Sequence, residues 1–222
     1  MTALYQVMFV MMMKKKSAKK CSYSSELALV VALDFNRPGP TVADAVHYIV
    51  NKATLLNKPF VINASLGNYY GSHDGTDAEA KAIDAMMANQ PGRVMVAAAG
   101  NAGHIPFHAK AQVQNGDTVF TWIKSNSLQL EHTLYGDLNQ IQQLQFSIGA
   151  NRGNYSYMGN IGFKTYNYAL NAIRKDTLKL NNNRIGIVES AASINPYGVY
   201  ELSFLVKADS SNLLWSIETR GQ

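Results

Sequence analysis

Cysteine is almost missing from this chain: Cys21 stands alone, so no internal disulfide can form and the fold rests on packing and hydrogen bonds. Charge is sparse as well, at 16% Asp, Glu, Lys and Arg against 47% hydrophobic residues, a balance that excludes a mainly disordered chain. No apolar run is long enough to cross a bilayer as a helix; the longest, in the opening MTALYQVMFVMMM, reaches about a dozen residues. Positive charge follows that run, in KKKSAKK, whereas a secretory signal places it before. Those five lysines (Lys14, Lys15, Lys16, Lys19 and Lys20) account for the whole net charge of +5, and the remainder is formally neutral. A basic stripe interleaved with aromatics is also lacking, so nucleic acid is not an expected partner.

What is present begins at Glu26. Residues 1–25 have an unrelated Met- and Lys-rich texture and are expected to be a disordered or non-native tail. ELALVVALDF, 26–35, is a continuous apolar run of strand length, closed by Asn36-Arg37-Pro38-Gly39-Pro40. Thr41 followed by Asp44 has the form of a capping box, with Asp in place of the usual Glu. Val42, Ala45, Val46, Ile49, Ala53 and Leu56 then recur at helical spacing. FVINASLG reads as a second strand. Thr76 and Glu79 form another capping pattern, opening a helix over about Asp77–Asn89 with Ala80, Ile83 and Met87 inward. Pro91-Gly92 ends it, and VMVAAAG is a third strand.

Strand, helix, strand, helix, strand with crossover-length links predicts a partial parallel sheet flanked by helices, an α/β core over 26–110. In such sheets function gathers at the carboxyl ends of the strands. After residue 110 the rhythm shortens. Asn115-Gly116 in QVQNGDTVFTWI signals a hairpin, and LQLEHTLYG, LQFSIGA, RIGIVES, VYELSFLVKA and NLLWSIET alternate like strands. The expectation for 111–222 is a β-rich antiparallel sandwich inserted beside the core.

Residues 26–103 resemble the subtilisin-like serine peptidases, the subtilases. VINASLG is similar to the family's substrate-binding strand, and VMVAAAGNAG to the strand that ends on its oxyanion-hole asparagine. GSHDGTDAEAKAID between them resembles the connection of a bacterial subgroup that carries a large β-rich insertion. The resemblance implies a fragment of a serine endopeptidase acting on extended peptides or proteins. It implies that Asn101 donates to the negative oxygen of a tetrahedral intermediate, a role that needs an amide rather than a carboxylate. Ala98, Ala99 and Gly100 would leave room for a substrate side chain, with Ser65, Leu66 and Gly67 as the opposite wall. Family habit further implies a secreted or cell-envelope location. It also makes calcium common, although no clustered ligand set is evident and no cofactor is expected.

The family's triad motifs, Asp-Ser-Gly or Asp-Thr-Gly, His-Gly-Thr and Gly-Thr-Ser-Met-Ala, do not occur in these 222 residues. Asp209-Ser210-Ser211 is a weak echo of the first on the wrong side of the asparagine. The chain is therefore expected to be inactive alone, the product of a truncated or frameshifted reading frame, with the missing halves of the peptidase as a further partner. His73-Asp74 is better placed to structure a loop than to act as base and orienter, and His47 reads as a surface residue. His104 and His108 have metal-ligand spacing, but Pro106 between them argues against the helix it requires. The alternative is a non-catalytic peptide- or glycan-binding protein, in which Trp122, Tyr155, Tyr157 and Trp215 could stack on sugars. Gly67-Asn68-Tyr69-Tyr70-Gly71 lacks the spaced glycines of a nucleotide site.

Overall fold

The structure, a computed structural model, describes residues 5–15, 23–34, 41–66, 69–106, 108–125, 127–152, 157–170, 172–180, 182–211 and 213–222. It divides into two units, Met1–Phe107 and His108–Gln222.

The first unit holds β1 (Tyr5–Lys15), β2 (Tyr23–Asp34), α1 (Val42–Leu55), β3 (Phe60–Ala64), α2 (Ala78–Met87) and β4 (Arg93–Ala97). Helix α1 starts where the capping box places it. The Thr41 hydroxyl accepts from Asp44 N at 3.2 Å and the Asp44 carboxylate accepts from Thr41 N at 2.8 Å. Ala45, Val46, Ile49, Val50 and Ala53 are buried, whereas Leu56 is the C-cap and exposed. These side chains pack on Phe60, Ile62 and Ala64, the alternate residues of β3 that share one face, and Ile83, Met86 and Met87 of α2 close the same cluster. The other face of β4 carries Val94 and Val96, both exposed.

Two expectations change here. The N-cap of α2 is Asp77, which accepts from Ala80 N at 2.9 Å, and not Thr76. Glu79 instead accepts from Ala43 N at 3.1 Å and so caps the neighbouring helix. The sheet order is β2-β1-β3-β4, with β1 antiparallel to both of its neighbours and β3 paired in parallel with β4. Tyr5–Lys15, expected in a disordered tail, is thus a central strand. Its apolar run YQVMFVMMM has no helical period, and a position between two strands satisfies its backbone on both sides. Residues 35–40, including the Asn36–Pro40 turn, lie outside the described residues.

The second unit is β5 (Thr118–Lys124), β6 (Gln129–Asp137), the short α3 (Leu138–Ile141), β7 (Leu144–Arg152), β8 (Tyr157–Asn160), β9 (Arg174–Leu180), β10 (Asn183–Ile194), β11 (Val199–Ala208) and β12 (Leu213–Gly221). They form two antiparallel four-stranded sheets, ordered β6-β11-β10-β9 and β5-β12-β7-β8. Leu130, Leu178, Val188, Leu202, Phe204 and Val206 of the first sheet share a core with Phe146, Ile148, Trp215 and Ile217 of the second. Inward residues alternate along β11 as the sandwich requires. On β12 both faces are covered: Trp215 and Ile217 are buried, and so are Ser216 and Glu218. The Glu218 carboxylate accepts from Asn160 Nδ2 and from Ser216 Oγ, the latter at 3.2 Å. Asn115-Gly116 makes no hairpin; Asn115 bridges Gly221 at the far end of the sequence.

Candidate functional site

The parallel register of β3 and β4 runs from Phe60 opposite Arg93 to Ala64 opposite Ala97. One further bond, from Ala98 N to Ala64 O at 3.1 Å, carries the pairing past the last strand residue. The two strands therefore end side by side, and Ser65-Leu66 leaves one end as Ala98-Ala99-Gly100-Asn101 leaves the other. Ser65 and residues 98–101 are exposed, while Leu66 is half-buried against the α1 cluster. Gly67 lies outside the described residues.

Small residues have a geometric role at this strand end. Gly100 sits at φ +89°, a conformation that L side chains rarely adopt, and turns the chain sharply after Ala99. The Tyr69 ring lies beside it, 3.9 Å from where a Cβ would stand. Asn101 follows on the surface, and its amide makes no hydrogen bond among the described residues.

The segment leading back to α2 is tied by a compact polar network. Ser72 is 2% exposed, and its hydroxyl accepts from Thr76 N and Asp77 N, each at 3.0 Å, while donating to Asp77 Oδ2 at 3.1 Å. Asp74 accepts from the Thr76 hydroxyl at 2.6 Å and from Thr76 N at 3.0 Å. The Thr76 hydroxyl, with Ser72 assisting, pushes the Asp74 carboxyl down to about 2. Burial pushes Asp77 upward, but the hydrogen bonds from Ala80 and Ser72 outweigh it and hold this carboxyl below the usual range. Gly71 is required at φ +105°, where a Cβ would also press on Asp77 Oδ2 at 3.1 Å.

His73 and Asp74 do not face each other as base and orienter. The His73 ring donates from Nε2 to the Tyr69 carbonyl at 3.1 Å, and Asp74 serves Thr76. His47 is exposed on α1 beside Asn51, and residues 103–105 form turns, so no helix brings His104 and His108 together. Among the described residues no group of three His, Cys, Asp or Glu side chains is gathered as a metal site. No helix among them is long and apolar enough to cross a membrane.

The aromatic candidates separate by burial. Trp215 is 2% exposed and belongs to the sandwich core, whereas Trp122 is 40% exposed and stacks on Phe120 with centroids 6.0 Å apart and planes 12° from parallel. Tyr155 lies outside the described residues, and Tyr157 enters as backbone of β8. Phe120 was missed because alternation alone does not say which face of an edge strand stays open.

The ends of β3 and β4 thus carry the segments on which the resemblance to subtilisin-like peptidases rests. The Subtilase family model matches residues 10–162, and the chain belongs to that family. Among solved structures, the Clostridium perfringens CspB protease superposes with a TM-score of 0.45 at 17% identity. The match covers 81% of this chain and 36% of that one, so the chain spans little more than a third of the protease. No curated protein matches the sequence.

Proposed function

We propose that this chain is the substrate-binding part of a subtilisin-like serine endopeptidase and hydrolyses no peptide bond by itself. The observation that carries the reading is the register of β3 and β4, which sets Ser65-Leu66 beside Ala98-Ala99-Gly100. An extended peptide would lie between these two strand ends, pairing its backbone as an added strand. Asn101, exposed and with its amide unengaged among the described residues, would donate to the oxyanion of a tetrahedral intermediate. A hydrogen bond to a charged group contributes about 1.5–3 kcal/mol, enough to matter to rate. The family's triad motifs do not occur in these 222 residues, and the proposed partner is a polypeptide that carries nucleophile and base. The exposed Val94 and Val96 of β4 offer it an apolar surface. Family habit places such a protein outside the cell or in its envelope.

A second reading, a non-catalytic glycan-binding role, is favoured by one observation, the exposed parallel pair Phe120 and Trp122. One experiment addresses both. The chain is incubated with a fluorogenic peptide and a serine-directed fluorophosphonate, and oligosaccharide binding is followed by tryptophan fluorescence. The expected result is peptide binding with neither turnover nor labelling. Labelling of any serine contradicts the inactivity. Oligosaccharide binding without peptide binding replaces the first reading with the second.

A further inference from the structure

We infer that Asn115 is a site of spontaneous deamidation, and that its conversion to isoaspartate loosens the end of β12. Asn115-Gly116 is the one Asn-Gly pair in the sequence; every other asparagine precedes a residue that bears a side chain. Cyclisation at asparagine requires the following backbone nitrogen to reach the side-chain carbonyl carbon, and a glycine leaves that approach open. Asn115 is exposed, and its amide makes no hydrogen bond among the described residues. Gly116 has φ +83°, outside any helix or strand. Among the described residues its N–H is held by a single long bond, to Gly221 O at 3.4 Å.

The chemistry needs nothing but water. The Gly116 nitrogen bonds to Asn115 Cγ, the Cγ–amide bond breaks, and ammonia leaves with the proton lost from Gly116. The resulting succinimide adds water at either carbonyl. One opening gives aspartate; the other gives isoaspartate, whose main chain runs through the side-chain carboxyl and gains a methylene.

That methylene would enter where the fold has least room. Asn115 bridges Gly221, whose own Cβ, if present, would stand 2.1 Å from Gln114 O and 3.1 Å from Asn115 Cα. Gly221 N also donates to Asp117 O at 3.0 Å, so a lengthened backbone at 115 pulls on the contacts that hold the strand end on the side away from β7. Aspartate changes charge alone, whereas isoaspartate changes the path of the chain.

The test ages the full chain at mildly alkaline pH and follows it by intact mass, peptide mapping and enzymatic methylation of isoaspartate. Asn115 is expected to be the first amide lost, yielding both isomers. Asn115→Gln, which keeps an amide on a longer arm, should remove that fastest step. The aged protein should melt below the fresh one, while Asn115→Asp melts close to it. Deamidation that begins at another asparagine, or yields no isoaspartate at 115, overturns the site. Equal melting of aged and fresh protein, with isoaspartate present, overturns the link to β12.

Discussion

Ser72 shows how one residue can hold a loop. It is small and uncharged, yet it supplies an acceptor for two backbone N–H groups and a donor for the carboxylate that caps α2. Ser72→Ala removes the hydroxyl that pairs with the half-buried Asp77 N–H, and a lost bond of this kind costs about 0.5–1.5 kcal/mol. Thermal unfolding should show that loss, and Ser72→Thr should recover part of it. An unchanged melt would mean that solvent replaces the hydroxyl. Little of this was legible in the sequence. GSHDGTD announces a turn and a helix start, but which of Ser72, Asp74, Thr76 and Asp77 serves which N–H depends on how Gly71 and Gly75 turn the chain. Asp77 won the N-cap because Thr76 was already engaged with Asp74. Asn101, by contrast, stood out from its sequence neighbours, since a strand that ends on small residues leaves the next side chain on the surface.

At the scale of elements, α1 and the strands of the sandwich followed from periodicity, because burying one face fixes which residues must be apolar. The strand pairing did not. A strand buried on both faces reads the same whether its neighbours are parallel or antiparallel, so nothing in ELALVVALDF announced that β1 would separate β2 from β3. Edge strand β6 shows what pattern alone leaves out. Its core face runs Leu130, His132, Leu134, set across β11 from Val206, Phe204 and Leu202, all apolar. Among the described residues His132 Nε2 is buried without a partner, and burial pushes its pKa below the usual 6.5. The folded state thus takes up its proton at lower pH than the unfolded one. The stability contribution is complete above 6.5 and is lost as pH falls from there through the folded value. Acidification from about pH 7 to about pH 5 should lower the melting temperature more for the native chain than for His132→Phe. Parallel slopes for the two proteins would contradict this.

At the scale of the whole molecule, the chain divides between a small α/β unit and a β-sandwich. The Subtilase family model reaches into both, over residues 10–162. The second has a core of its own, built from Tyr200, Phe204, Leu202 and Ile148. The account turns on whether the ends of β3 and β4 bind an extended peptide. The most direct measurement is an NMR titration of the isotope-labelled chain with a short unlabelled apolar peptide. The predicted result is saturable shifts at Ser65, Leu66, Ala98, Ala99, Gly100 and Asn101, with the sandwich resonances unmoved. Shifts confined to the sandwich, or none at peptide excess, would contradict it.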